Sequence, residues 1–226
     1  MATGGAGTSV AVTKLGAASR LLEAAIRSFL ADEDPLATYV IVSASFRVMR
    51  DIGEQRGHDH LEDAFGLTAF YLGRDYLAGS LPEFARDDEQ LAQLAELVGE
   101  AIRRGEIKSP DEVAVVLPAT LKRQMWRDTN APYNFLKHAD LDPTQSLDLS
   151  SVNVRETLVQ ACRLFEVLLP QESNWTVRAF QFYYVRTSEV ASGQPWMKPL
   201  FEASEGLEDV EIRELLLRLS DDHRHP

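Results

Sequence analysis

The sequence contains little that would place the chain in a membrane or an oxidising compartment. It has a single cysteine, Cys162, which excludes an intramolecular disulfide framework, and no run approaches the roughly 20 apolar residues that a bilayer-spanning helix needs. The opening residues MATGGAGTSVAVTK lack the basic flank and the long apolar stretch of a signal peptide. We therefore expect a cytoplasmic protein with a disordered tail over residues 1–12 and no membrane partner.

Motifs that bind cofactors or metals are also missing. The sequence has no glycine-rich phosphate loop, no Cys-x-x-Cys pair and no nucleophile elbow. The stretch GHDH at 57–60 is interpreted as a helix end at Gly57 followed by a polar loop, and Asp140 and Asp142 as turn formers before Pro143. We predict no cofactor and no metal site.

Positive charge is scarce and unevenly placed. The net charge of −12 counts against nonspecific binding of a nucleic acid by the whole surface. Residues 119–138 reverse this balance, whereas acidic residues dominate residues 202–222. An RNA-binding surface is therefore expected only within the basic stretch, whose cations are Lys122, Arg123, Arg127 and Lys137.

Helical periodicity of apolar residues runs through most of the chain. A helix is predicted over residues 13–31, with Thr13 as its N-cap. A second is predicted over residues 35–56, with Asp34 as its cap and Pro35 at its first position. The short link between these two segments predicts an antiparallel pair of helices. The fold class that follows is all-α, with an antiparallel bundle over 13–170 and a C-terminal helical extension over 171–226.

Two later segments carry more specific expectations. Pro118 and Pro132 are predicted to break the stretch over residues 113–140 into two short helices, the second capped by Asn130. The helix over 174–190 has aromatic residues on every side, more than one buried face can accommodate. We expect its second face to be covered by a partner and predict a homodimer.

The stretch YNFLKHAD carries the candidate chemistry. Asn134 and His138 are four residues apart, on one helix face, with Lys137 beside them, so an amide, a cation and an imidazole could converge on a phosphate or a scissile RNA linkage. The stretch resembles the R-N-x-x-x-H motif of HEPN domains, helical bundles of which many are metal-independent RNases in toxin and phage-defence systems. More closely, it resembles an uncharacterised bacterial family with NFFKHAD after a helical hairpin like residues 13–57.

The HEPN resemblance implies roles for individual residues. His138 would be the general acid or base and Asn134 its companion in the motif, whereas Tyr133 stands where the motif has its phosphate-stabilising Arg. The resemblance therefore implies a nuclease site that is weakened or absent. Candidates to supply the missing cation through space are Arg47, Arg50 and Arg127.

Two function classes remain open, and with them the question of whether the chain is an enzyme. In the first, the protein is HEPN-like and RNA-directed, and Tyr133 and the nearby cations bind RNA. In the second, it is a noncatalytic dimeric scaffold that holds a protein partner through its acidic tail and aromatic helix. In that case Asn134 and His138 serve as a cap and hydrogen-bond network for the HADLDP turn.

Overall fold

Every regular element in the described part of the chain is helical. The computed structural model describes residues 11–137, 144, 146–172, 174–187 and 195–222, and these ranges contain ten α-helices and no strand. The predicted all-α class is confirmed. The helices are α1 Lys14–Leu30, α2 Pro35–Gln55, α3 His60–Ala78, α4 Glu83–Asp87, α5 Glu89–Arg103, α6 Ala119–Lys137, α7 Val154–Leu168, α8 Trp175–Thr187, α9 Lys198–Ala203 and α10 Asp209–Asp222.

The first two helices begin where their capping residues predict. The Thr13 hydroxyl accepts a hydrogen bond from the main-chain N–H three residues on (3.0 Å), and the Asp34 carboxylate does the same just before Pro35 opens α2 (2.8 Å). The Ser45 hydroxyl donates to the Ala18 carbonyl (2.7 Å). Ala18 and Ser45 lie about equally far along the chain from the link at residues 31–34. Their contact is therefore the one expected of an antiparallel hairpin, as predicted.

The sixth helix corrects one prediction. Residues 119–137 form a single helix with Pro132 inside it, not two short helices, and Pro132 is buried. Asn130 does not cap a second helix, because its side-chain amide donates to the Trp126 carbonyl (2.7 Å). Proline removes only one helical hydrogen bond, to the Asp128 carbonyl, and burial of its ring offsets part of that loss.

The chain divides into two compact units. Unit 1 comprises Met1–Ile52 and Pro132–Pro226, and unit 2 comprises Gly53–Ala131. Helices α2 and α6 each run across the division. Within unit 1, α8 and α10 pack against α1, and α7 packs against both α1 and α8.

The aromatic helix α8 is covered within unit 1. Phe180 and Tyr183 both lie edge-on to Phe29 of α1, with ring centroids 5.6 Å apart, and Phe182 packs on Phe201 of α9 at 4.9 Å. The aromatic residues that motivated the predicted homodimer therefore find their second burial surface inside the same chain. The homodimer stays a prediction, but this helix no longer supports it.

Arg213 joins three helices of unit 1. Its guanidinium donates to the carbonyl of Phe29 near the end of α1, to the hydroxyl of Tyr183 on α8 and to the carboxylate of Asp209 on α10, each at 2.8 Å. Tyr183 in turn donates to Asp209 (2.9 Å). Burial and the nearby Asp209 carboxylate raise the pKa of Tyr183, despite the opposing effect of Arg213, so the hydroxyl keeps its proton at neutral pH.

Cys162 belongs to the core of unit 1, as its sequence context predicts. It lies on α7 and is 2% exposed. Burial, with a smaller contribution from the Glu166 carboxylate, raises the pKa of the thiol well above its usual value. The thiol is therefore protonated and shielded from solvent in the folded protein.

Unit 2 is organised around a close crossing of α3 and α5. A Cβ on Gly73 of α3 would lie 2.8 Å from both the main-chain nitrogen of Gly99 and the Cγ1 of Val98 on α5. The two backbones can approach this closely only because neither glycine has a side chain. The residues buried beside this crossing include Leu72, Ala85 and Ala95.

Candidate functional site

In unit 1, a guanidinium lies over the tyrosine that replaces the motif arginine. The central carbon of the Arg47 guanidinium is 3.8 Å from the ring centroid of Tyr133. Arg47 extends from α2 and Tyr133 from the last turns of α6, and both are partly buried. This distance is that of a close cation–π contact, so a positive charge lies beside Tyr133, the position at which the resembled motif has its arginine.

Two further side chains on α2 support this pair. Tyr39, Ser43 and Arg47 follow one another at intervals of four residues and therefore share one face of the helix. Tyr39 and Ser43 are both buried. Burial raises the pKa of Tyr39, although the neighbouring Ser43 hydroxyl, the charge of Arg47 and the main chain of Tyr133 act to lower it. Tyr39 is thus a neutral group beneath the cation.

Polar groups at the end of α6 complete the unit 1 site. Asn134 follows Tyr133 directly, Lys137 lies one turn beyond Tyr133, and both side chains are exposed. An amide, an ammonium and a guanidinium are each groups that bind an anion such as a phosphate, and all three lie on or beside the last turns of α6. His138, the predicted general acid or base, lies outside the described residues, as do Asp140 and Asp142.

Lys122, predicted to bind RNA, is instead engaged by two carboxylates of unit 2. Its Nζ lies 2.6 Å from Asp59 Oδ2 and 2.6 Å from Glu62 Oε1. These hydrogen bonds raise the pKa of Lys122, and together with the Leu117 N–H they lower that of Glu62. Burial alone would raise the pKa of Asp59, but the bonds from Lys122 and from the Glu62 N–H lower it overall. The ammonium therefore ties the start of α6 to the start of α3.

The other predicted cations of unit 2 are Arg123 and Arg127. Both are exposed, and at a spacing of four they share one face of α6. Arg127 lies 3.7 Å from Asp128, a solvated ion pair that contributes little. The neighbouring Trp126 does not extend this face, because its ring packs at a tilt of 43° against the buried His60, with centroids 4.5 Å apart.

The structure thus brings together part of the predicted site. Tyr133, Asn134 and Lys137 belong to unit 1 with Arg47, which the sequence suggested as one substitute for the motif arginine. The supporting residues Tyr39 and Ser43 were not predicted, although their four-residue spacing with Arg47 on α2 was a usable signal. Among the described residues, no three His, Cys, Asp or Glu side chains converge as metal ligands.

Comparisons with known proteins add no assignment. No family model, no curated protein and no solved structure matches the chain. Over the described ranges, no helix combines the length and the apolar character that crossing a membrane requires.

Proposed function

We propose that the protein is a cytoplasmic, HEPN-like and RNA-directed bacterial protein with a defence- or stress-related role, and that its nuclease site is weakened or absent. The observation that carries this proposal is the Arg47 guanidinium stacked on Tyr133 beside the exposed Asn134. The combination supplies a cation, an amide and an aromatic ring in one place, as single-stranded nucleic acids require.

The chemistry of each group supports binding more than cleavage. A guanidinium is the side chain best suited to bind phosphate oxygens, and its contact with the Tyr133 ring places that charge at the end of α6. Lys137 adds a second positive charge, and Asn134 a neutral donor. Because the cation comes from α2 and not from the motif position, we expect it to stabilise a cleavage transition state less well than the arginine of the motif would.

The binding experiment measures fluorescence anisotropy of a labelled single-stranded RNA. Arg47→Met should raise the Kd about tenfold, equivalent to about 1.4 kcal/mol, and should make the salt dependence shallower by about one phosphate contact. Arg47→Lys should recover only part of the affinity, since it keeps the charge and loses the planar stack. Arg20→Met is the matched control, because it removes an exposed charge from unit 1. Equal affinity of the Arg47→Met and Arg20→Met variants would refute the proposed site.

A second experiment tests the weakened nuclease directly. The wild-type protein should cut RNA slowly or not at all in the presence of EDTA, and Tyr133→Arg, which restores the motif, should increase cleavage. His138→Ala should abolish that increase at an unchanged melting temperature. Rapid cleavage by the wild-type protein, or cleavage that survives His138→Ala, would contradict a weakened HEPN-like site.

The alternative function is a noncatalytic, dimeric protein-interaction scaffold. It is favoured by the pairing of Lys122 with Asp59 and Glu62 and by the packing of Trp126 against His60, which leave fewer groups for RNA. The acidic net charge also favours it. Absence of RNA binding at low salt, where electrostatic binding is strongest, would support this alternative.

A further inference from the structure

Unit 2 contains an extended, uncharged segment before α6. Residues 113–118, with the sequence VAVVLP, follow a short 3-10 helix at Pro110–Glu112 and have no regular structure. Their exposure alternates, since Val113, Val115 and Leu117 are partly buried whereas Ala114 and Val116 are exposed. The Val116 side chain is 86% exposed. This alternation is the pattern of a β-strand with one face on the protein.

One edge of this segment lies against α3. The Val113 carbonyl faces Gly66, where a Cβ would be only 2.7 Å from its oxygen, and the Leu117 N–H donates to Glu62 (2.9 Å). In an extended chain, the main-chain groups of successive residues point to opposite edges. Those of Ala114 and Val116 therefore point away from α3, and neither N–H has a hydrogen-bond partner within the described part of the chain.

We propose that residues 113–118 form a strand-pairing edge that binds the same segment of a second copy of this chain, antiparallel and about a two-fold axis. With Val115 opposite its own symmetry mate, Ala114 of each copy lies opposite Val116 of the other. Each such pair exchanges N–H and C=O groups in both directions, and the Val115 pair between them is not hydrogen bonded. This is the alternation that an antiparallel ladder requires.

Charge complementarity favours a second copy of this chain as the partner that binds residues 113–118. Asp111 precedes the segment and Ala119 follows it, so the antiparallel pair brings Asp111 of one copy to the end where α6 of the other begins. A helix N-terminus carries partial positive charge, and Arg123 follows one turn later. Asp111 and Arg123 are both exposed, and the two-fold axis produces this pairing twice. Residues 113–118 themselves carry no charge, so their pairing avoids the repulsion expected between two copies of an acidic chain.

This proposal is independent of the RNA site, because every residue in it belongs to unit 2. It also gives the predicted homodimer an interface other than helix α8. An unpaired apolar edge of this kind otherwise favours nonspecific aggregation, which is a further reason for it to be covered by a defined partner.

Sedimentation velocity from about 1 to about 100 µM, with hydrogen exchange at matched concentrations, tests the proposal. The wild-type chain should form dimers, and the amides of Ala114 and Val116 should exchange more slowly as concentration rises. Val116→Pro should weaken dimerisation at least about tenfold, because it removes an outward N–H without disturbing a buried contact. Val116→Lys tests the same edge by placing a positive charge on it in both copies. Val116→Thr, which keeps the N–H, and Leu97→Lys, at a 67% exposed apolar position on α5, should both leave the dimer intact.

A charge exchange distinguishes a second copy from an unrelated strand. Asp111→Lys and Arg123→Glu should each weaken the dimer, and the double variant should restore it. A chain that stays monomeric at all concentrations would overturn the proposal. A dimer that survives Val116→Pro and Val116→Lys, with freely exchanging Ala114 and Val116 amides, would overturn it equally.

Discussion

Replacement of Arg213 by methionine is the sharpest test of how unit 1 is held together. Methionine keeps much of the volume and the unbranched stem but removes the donors to the Phe29 carbonyl, the Tyr183 hydroxyl and the Asp209 carboxylate. The guanidinium also lies 5.2 Å from the Phe29 ring centroid and 5.0 Å from that of Tyr183. All of these contacts disappear together.

The expected loss follows from the burial of each contact. The Arg213 side chain is only 18% exposed, so its bonds to the carbonyl and the hydroxyl are shielded and each contributes on the order of 1 kcal/mol or more. Asp209 is half exposed, so the ion pair adds at most a fraction of this. With the ring contacts, the total comes to about 2–4 kcal/mol. We expect the free energy of unfolding of unit 1 to fall by this amount.

Hydrogen exchange with mass spectrometry localises the effect, which a single melting curve of a two-unit chain would not. Peptides from α1, α8 and α10 that exchange by unfolding of unit 1 should do so at least about 30-fold faster in the Arg213→Met variant, since each 1.4 kcal/mol is tenfold. Peptides from α3 and α5 should not change. Arg218→Met, at an exposed position on α10, is the matched control. Exchange in α8 within about threefold of wild type would show that Arg213 does not hold these helices.

Three further predictions concern both units. The ionised forms of Asp59 and Glu62 stabilise unit 2, since folding lowers both pKa values, so this stability should be present above about pH 4.5 and lost as pH falls below about 4. Thermal melts over that range should show the loss, and Lys122→Met should make it smaller. Gly73→Ala should destabilise unit 2 by about 1–3 kcal/mol in urea denaturation, because its Cβ would collide with the α5 backbone. Cys162 should not react with a thiol reagent until the protein unfolds, as a chromogenic disulfide will report.

Each of these predictions has a defined contrary result. An acid transition of the same size in wild type and in Lys122→Met would show that the two carboxylates do not act through that ammonium. Thr68→Ala, on an exposed position of α3, is the control for Gly73→Ala, and equal stability of the two variants would refute the close-packing argument. Stoichiometric labelling of native Cys162 within minutes would mean that α7 opens readily.

Sequence reasoning succeeded where the determining contacts are local. The N-caps Thr13 and Asp34 bond to N–H groups three residues away, so the starts of α1 and α2 were predictable to within a residue. It was wrong at Pro132. Local propensity favours a helix break there, but α6 continues through the proline, which is buried. Such burial depends on residues distant in the chain, which periodicity does not identify.

The candidate site shows the same limit. The motif residues Tyr133, Asn134 and Lys137 are visible in the sequence, but the stacking of Arg47 on Tyr133 joins two distant helices. The sequence suggested three arginines for that role and could not choose among them. The neutralisation of Lys122 by Asp59, 63 residues earlier, was equally invisible. A count of basic residues in one stretch cannot show which of them are already paired.

The discontinuity of unit 1 bears on how the chain folds as it is synthesised. Its hairpin of α1 and α2 emerges from the ribosome before unit 2, but the partners of α1, namely α7, α8 and α10, follow only after all of unit 2. At typical elongation rates of about 5–20 residues per second, α8 is synthesised on the order of 10 s after α1, and the apolar face of α1 stays uncovered by α8 during that time. Unit 2 is contiguous and can fold in that interval. The middle of the nascent chain should therefore become protease-resistant before its beginning.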